Sequence, residues 1–420
     1  MKVLIINSVL LLSIARSAEL NIEKLKLSAI RNSFNLKSIE SDLDSSDQKV
    51  KIRKSKFYPK AGLEIGQELT FSGGNSEREN ILAVYGELNV FNGNKDSLSL
   101  KKSKIEKQAL GVKFKRQEHL TKIEVESLFY NYLYLLEKNK IIDLAIRRNA
   151  KHISMVRKRY NAGMVTKTDL LEFQLKSSNL QTEIETLDLD IKRAKEKLLN
   201  FSGIETQPDS HIAGELPHLH IQTNLNQALE LSSENNTLMK HQALEKKNFE
   251  LSRKISKSKI YPSVDLKGKY GLLSEQETGF KNNATVGQVA LIASWEAFSG
   301  GARKAESKML SSQIDSLDFK MKQLSRDLIN EVKNNYEKIK ILEKQIDSIE
   351  KNQSIALRLY RKTLKEYNKG VKDSGALVGA SDMYKSLSEK VFETKYNHLN
   401  TKLALERIIG STLDFETIRH

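Results

Sequence analysis

Three histidines, His211, His218 and His220, fall within ten consecutive residues, and imidazoles gathered this closely are a common start for a transition-metal site. No Cys and no carboxylate cluster at ligand spacing accompanies them, so the sequence reads them as ordinary loop histidines and assigns no metal ligand. Ser299-Gly300-Gly301-Ala302-Arg303-Lys304 is glycine-rich but lacks the phosphate-cradling spacing that ends in Lys-Ser or Lys-Thr. It falls where a strand has to bend into a helix, and it reads as a hinge. The chain contains no Cys, which removes thiol nucleophiles and disulfides together. There is no nucleophile elbow, no His-Glu-x-x-His and no convincing acid/base pair, so no catalytic residue and no cofactor is assigned and the chain is expected not to be an enzyme.

The remaining residues specify architecture. Of 420 residues, 39% are hydrophobic and 29% charged, with only 4 Pro and 20 Gly; long stretches without either favour long helices over a loop-rich fold. Met1-Lys2, the apolar run through Ile14, and Ala15-Arg16-Ser17 predict a signal peptide over 1–17, cleaved near Ser17. No Cys follows to carry a lipid. Beyond it no run approaches the roughly 18 to 20 apolar residues of a membrane helix, so any spanning structure has to be a β-barrel. The net charge of +16 is spread along amphipathic stretches and interleaved with Asp and Glu, which describes a solvated helical surface, not a nucleic-acid patch.

The chain is written twice. Ser55-Lys56-Phe57-Tyr58-Pro59 returns as Ser258-Lys259-Ile260-Tyr261-Pro262, an offset of 203. Phe91-x-Gly93 returns as Phe298-x-Gly300, Tyr160-Asn161-x-Gly163 as Tyr367-Asn368-x-Gly370, and Gly203 as Gly410, all offset by 207. The segment after the first Pro is therefore four residues longer in the second copy. Such self-similarity fixes architecture before any residue is given a role: a first repeat over 18–210 and a second over 211–420.

After each Tyr-Pro the pattern has period two. Ala61, Leu63, Ile65, Leu69 and Phe71 alternate with Gly62, Glu64, Gly66, Glu68 and Thr70, then the turn-like Ser72-Gly73-Gly74-Asn75 leads to Leu82, Val84, Leu88 and Val90 against Glu87 and Asn89. In the second copy Val264, Leu266, Tyr270 and Leu272 oppose Asp265, Lys267 and Lys269, and Val289, Leu291, Ala293 and Trp295 oppose Gln288, Ser294 and Glu296. Strands are expected over about 60–72, 80–92, 263–274 and 284–299. Strands of about ten residues with one apolar and one polar face suit lipid on one side and water on the other; the same alternation also fits a half-buried soluble sheet. Four strands cannot close a barrel, and open edges are not tolerated in lipid, so the membrane reading requires several chains to pool their hairpins.

Everything else reads as helix. Residues 94–161 form one segment of about 100 Å at 1.5 Å per residue. The flanking helices over 20–54 and 168–201 together match its length, and the second copy repeats the scheme over 223–259, 375–409 and 300–369. Along the return helix Leu170, Phe173, Ser177, Leu180, Ile184, Leu187, Ile191, Ala194, Leu198 and Phe201 recur in steps of three and four, the signature of coiled-coil packing. A solid rod and a hollow tube share it.

A hairpin, a long helix, Tyr-Asn-x-Gly and a return helix ending in Gly, all in duplicate, with Leu-Leu-x-x-x-Gly closing the first copy, resemble the TolC-like outer membrane efflux proteins over nearly the whole mature chain. The most specific piece is Arg159-Tyr160-Asn161-Ala162-Gly163-Met164-Val165-Thr166-Lys167-Thr168-Asp169-Leu170-Leu171, which looks like the family's turn at the far periplasmic end. The resemblance implies a mainly α protein with a β-barrel portion: a homotrimer with a twelve-stranded barrel in outer membrane lipid and a coiled-coil helical barrel in the periplasm. It also implies a passive duct for efflux or type I secretion, working with a periplasmic adaptor and an inner membrane transporter.

Carried over by position, Gly163, Met164 and Val165, with Gly370 and Val371, are the expected adaptor-docking tips. Thr168, Asp169, Tyr367 and Lys372 are the expected gate, where an Asp169 to Lys372 ion pair or a Tyr367 hydrogen bond would hold neighbouring hairpins closed. Gly163 ending one helix, Thr166 or Thr168 capping the next and Asp169 in its first turn also make sense as capping alone. The second turn departs from the family pattern: Ala376 stands where Asp169 would recur, and a further acidic position falls on Gly379. Weak block by divalent cations is therefore expected. The alternative reading is an exported periplasmic coiled-coil protein whose hairpins form a soluble sheet.

Overall fold

The computed structural model describes residues 20–72, 75–205, 212–275 and 283–417; the expected signal peptide, His211 and the Gly73-Gly74 turn lie outside them. In chain order the elements are α1 (Ile22–Asn32), α2 (Phe34–Lys54), β1 (Lys60–Ser72), β2 (Asn75–Phe91), α3 (Lys95–Asn161), α4 (Lys167–Phe201) and β3 (Leu219–Ile221). Then follow α5 (Leu225–Asn235), α6 (Thr237–Ser258), β4 (Ser263–Glu275), β5 (Asn283–Ser294), α7 (Ala302–Asn368), α8 (Ser374–Ile409) and β6 (Phe415–Thr417). The chain divides into two compact units, one of Met1–Leu36, Gln117–Asn236 and Leu328–His420, the other of Lys37–Arg116 and Thr237–Asp327.

The second unit holds a four-stranded antiparallel sheet in the order β1-β2-β4-β5, so β1 and β5 are its edges. β2 begins at Asn75, ahead of the expected 80, because the β1–β2 ladder runs unbroken from Lys60↔Glu87 to Ser72↔Asn75. β5 stops at Ser294, short of the expected 299, because Ser294 pairs with Ser263, the first residue of β4, and no ladder partner lies beyond. Period-two alternation sorts the side chains. Leu63, Ile65, Leu82, Val84, Tyr270, Val289 and Leu291 share one face and are exposed, Ile65 at 76% and Val289 at 81%. The opposite face carries Glu64–Lys269 at 3.0 Å, Glu87–Lys267 at 3.7 Å and an Asn89–Asp265 hydrogen bond of 2.7 Å. Gly271 permits the close β2–β4 approach, since a Cβ there would collide with the Leu82 carbonyl and Ala83.

β1 and β4 begin 203 residues apart, and so do the ends of β2 and β5. The four extra residues of the second copy therefore lie between β5 and α7, where 295–301 replaces the three residues 92–94. Arg303 gathers that longer connection, donating from Nη2 to the carbonyls of Glu296 (2.7 Å) and Ala297 (3.0 Å), from Nη1 to that of Lys259 (3.2 Å), and from Nε to Ser299 Oγ (3.0 Å). Gly300 and Gly301 take φ of 58° and 83°, which L side chains resist, and the helix starts at once.

In the first unit the long helices pack through separate apolar clusters. Leu25, Phe129, Leu133, Leu198, Leu199 and Leu399 belong to one, Ile142, Ala145, Leu180 and Leu187 to another, and Val332, Ile339, Leu405 and Ile409 to a third. Phe173, Leu180, Leu187, Ala194 and Leu198 of the predicted α4 seam are buried, but Phe201 is exposed and Leu199 takes its place in the core.

The helices expected over 20–54 and 223–259 are each interrupted, at Ser33 and Asn236, which adopt extended ψ of 112° and 110°. Ser33 Oγ accepts from the Leu36 N–H at 3.3 Å to start the next helix, and Asn236 Nδ2 donates to the Ile408 carbonyl at 2.7 Å. A positive-φ glycine packs against each break: a Cβ on Gly203 would overlap Asn32, and one on Gly410 would lie 2.8 Å from the Asn235 carbonyl oxygen.

Candidate functional site

The α3–α4 and α7–α8 turns are built alike. α3 and α7 are both 67 residues long and end 207 residues apart. In the first turn Gly163 N–H bonds the Tyr160 carbonyl at 2.9 Å and Met164 N–H the Arg159 carbonyl at 2.9 Å; in the second, Gly370 bonds Tyr367 at 3.0 Å and Val371 bonds Glu366 at 2.9 Å. This is the Schellman arrangement, which needs a left-handed residue at its centre; Gly163 and Gly370 supply φ of 70° and 76°. The residue after that glycine commonly tucks back onto its own helix. Here Met164 is 74% exposed and Val371 70% exposed, so each turn presents an uncovered apolar side chain, while Val165 packs inward against the neighbouring cluster.

The helices that follow are capped by different chemistry. α4 has a reciprocal capping box: Asp169 N–H donates to Thr166 Oγ1 at 3.3 Å, and Asp169 Oδ2 accepts from the Thr166 N–H and hydroxyl, both at 2.7 Å. At α8 the capping position is Asp373, whose Oδ1 accepts from the Ala376 N–H at 2.8 Å. The carboxylate thus moves three residues toward the turn in the second copy, and Ala376 and Gly379 lie beyond it. Ser374, 2% exposed, donates its hydroxyl to Asp169 Oδ1 and joins the two turns. Sequence comparison missed Asp373 and Ser374 because offset matching looks for an acid at 376, whereas an N-cap Asp is legible from helix-start rules alone.

The expected gate residues do not act alike. Asp169 is committed to Thr166 and Ser374, and among the described residues no ion pair joins it to Lys372, which is exposed like Thr168. Tyr367 is 1% exposed and packs with Val156, Phe173, Tyr360, Leu377 and Ala380 of its own chain. Its hydroxyl is buried there; burial raises its pKa and the adjacent Arg159 opposes the rise. Arg159 lies over the Tyr367 ring at 4.6 Å and donates to the Asn368 carbonyl at 2.5 Å, a second link between the turns that the sequence did not announce.

Behind the turns, His152 Nε2 lies 3.0 Å from the Tyr360 hydroxyl, and its ring meets Phe173 edge-on at 5.6 Å. Burial, with Arg148 adding to it, lowers its pKa to about 4. Lys176–Asp382 at 2.7 Å and Lys385–Glu183 at 3.0 Å pair α4 with α8 above. His218 and His220 lie away from the turns, at β3.

The sequence matches the family described as outer membrane efflux protein over residues 27–203 and 228–411. No curated protein matches it. Solved structures do: a membrane protein from Pseudomonas aeruginosa (TM-score 0.84, 14% identity, covering 93% of this chain and 90% of that one). The outer membrane protein VceC from Vibrio cholerae gives a TM-score of 0.82 at 13% identity over 94% and 97%. The Campylobacter jejuni CmeC outer membrane channel gives 0.81 at 12% identity over 94% and 86%. At such identities the likeness is one of fold.

Proposed function

The chain belongs to the outer membrane efflux protein family, and from that membership we propose that it is the outer membrane channel subunit of a tripartite efflux or type I secretion system. Three copies pool their sheets into a twelve-stranded barrel, and their helices continue it as a periplasmic tunnel. The observation that carries this reading is the four-stranded sheet, apolar and exposed on one face, polar on the other, with β1 and β5 unpaired at its edges among the described residues. In lipid the exposed face is an asset and the open edges are not, so neighbouring chains have to complete the ladder. Exposed Tyr58, Phe91, Tyr261, Trp295 and Phe298 gather at the strand ends nearest the helices, where an aromatic girdle anchors a barrel at the membrane interface.

In this proposal the Gly163 and Gly370 turns form the tunnel mouth. Met164 and Val371, flanked by Gly163, Val165 and Gly370, meet the adaptor, and docking of adaptor and inner membrane transporter opens the passive duct. Thr168, Asp169 and Lys372 line the constriction, and Tyr367 supports it from within each subunit. Extraction of the protein from membranes decides between this and a periplasmic coiled-coil protein. Heat-resistant trimers released only by detergent, and conducting in planar bilayers, are expected; a monomer released by salt overturns the proposal.

A further inference from the structure

We propose that His218, His220 and Asp347 form a binding site for a divalent transition-metal ion of the zinc class where β3 meets α7. Each side chain offers one ligand atom, and these atoms all lie within 4.8 Å of one another. A tetrahedral ion with bonds of about 2.0–2.1 Å separates its ligand atoms by roughly 3.4 Å, so small side-chain rotations close the site. The two imidazoles are already adjacent, with ring centroids 5.1 Å apart.

The surroundings are those of a ligating histidine. His220 Nδ1 lies 3.8 Å from Glu343 Oε2, while His220 Nε2 is buried without a hydrogen-bond partner among the described residues. Glu343 is itself fixed, accepting from the Ile221 N–H at 2.7 Å and from Lys340 at 3.1 Å. A carboxylate facing one ring nitrogen orients the imidazole and strengthens the other as a donor to metal. Glu343 and Asp347 are one turn apart on α7, so the helix offers both the supporting carboxylate and the ligand from one face. Two nitrogens and one carboxylate oxygen select zinc-like ions over calcium or magnesium, which take oxygen-rich shells, and three protein ligands leave a fourth position to water. Asp347 lies 127 residues from His220 in sequence, so local ligand spacing around the histidines does not reveal it. The inference does not depend on the channel reading.

The test uses the full-length protein in detergent, stripped of metal, titrated with Zn2+ by calorimetry and with Co2+ by visible absorption. One ion per chain is expected, with the intense visible bands of four-coordinate cobalt, and at least ~10-fold weaker Zn2+ binding in His220→Ala and in Asp347→Asn. Asp347 is exposed, so Asp347→Asn keeps the test valid where a histidine variant fails to fold. Absence of stoichiometric binding, or Zn2+ affinity unchanged in Asp347→Asn, overturns the proposal.

Discussion

The Ser374 hydroxyl, at the first residue of α8, donates to the Asp169 carboxylate in the first turn of α4. One carboxylate therefore closes the α4 capping box and ties the two return helices together, so tip order and helix capping are a single property of Asp169.

Asp169→Asn removes the charge from that shared acceptor. Thr166 remains the N-cap and still accepts from the backbone N–H at 169, so the cost is that of weakened charge-assisted hydrogen bonds to the side chain, about 1 kcal/mol. Faster hydrogen exchange in the first turns of both α4 and α8 is expected, together with a larger single-channel conductance, and Ser374→Ala is expected to give a smaller change in the same direction. Because Ala376 and Gly379 leave no second carboxylate at those positions, wild-type conductance is expected to fall only slightly on adding divalent cations; strong block at micromolar levels counts against this account.

Two positive-φ glycines separate conformational from steric cost. Among the described residues no atom lies within 4 Å of a Cβ added at Gly163, whereas Gly410 has the Asn235 carbonyl oxygen at 2.8 Å. Gly163→Ala is expected to cost roughly 1 kcal/mol, and Gly410→Ala clearly more, since backbone has to move as well. Thermal melting of the detergent-solubilised protein should rank them in that order.

Charging the exposed apolar tips tests docking without touching the core. Met164→Glu and Val371→Glu are expected to leave stability within about 0.5 kcal/mol of wild type, as surface changes generally do, and the oligomeric state unchanged, while abolishing crosslinking to the proposed adaptor and export. Export at wild-type levels in the double variant would place docking elsewhere.

His152 predicts an acid-sensitive tip. Its folded pKa of about 4 lies below the ordinary 6.5, so the unfolded form binds the proton more readily, and stability falls as pH drops from about 6.5 toward 4 and levels off below that. The loss is on the order of 2–3 kcal/mol. Hydrogen exchange around residues 149–156, corrected for intrinsic rates, should accelerate over that interval in wild type and stay nearly flat in His152→Gln.

The sequence made the hairpins legible because half-buried strands write their faces as alternating residues, and the long helices legible because α3, α4 and α7 contain no Pro and a single Gly, Gly111. It hid the interruptions at Ser33 and Asn236, whose polar side chains suit a helix surface as well as a cap. At the turns, glycine reported itself through φ, and Thr166 and Asp169 through capping. Tyr367 did not: a tyrosine beside a turn reads equally as a gate or as core, and its packing against Phe173 and Leu377 is a tertiary contact that no local pattern carries. The Ser374–Asp169 and Arg159–Asn368 links join residues more than 200 positions apart, beyond the reach of any local pattern.

The four extra residues of the second copy are taken up wholly between β5 and α7, under the hand of Arg303, and both long helices keep 67 residues. Each added residue in a helix turns everything beyond it by about 100°, so an insertion within α3 or α7 would swing one tip out of phase with the other, whereas the strand-to-helix connection absorbs length without rotation. That connection has taken up four residues in the second copy while the helix beyond it keeps the length of its counterpart, so the two helices act as a matched pair of rulers and length differences fall outside them.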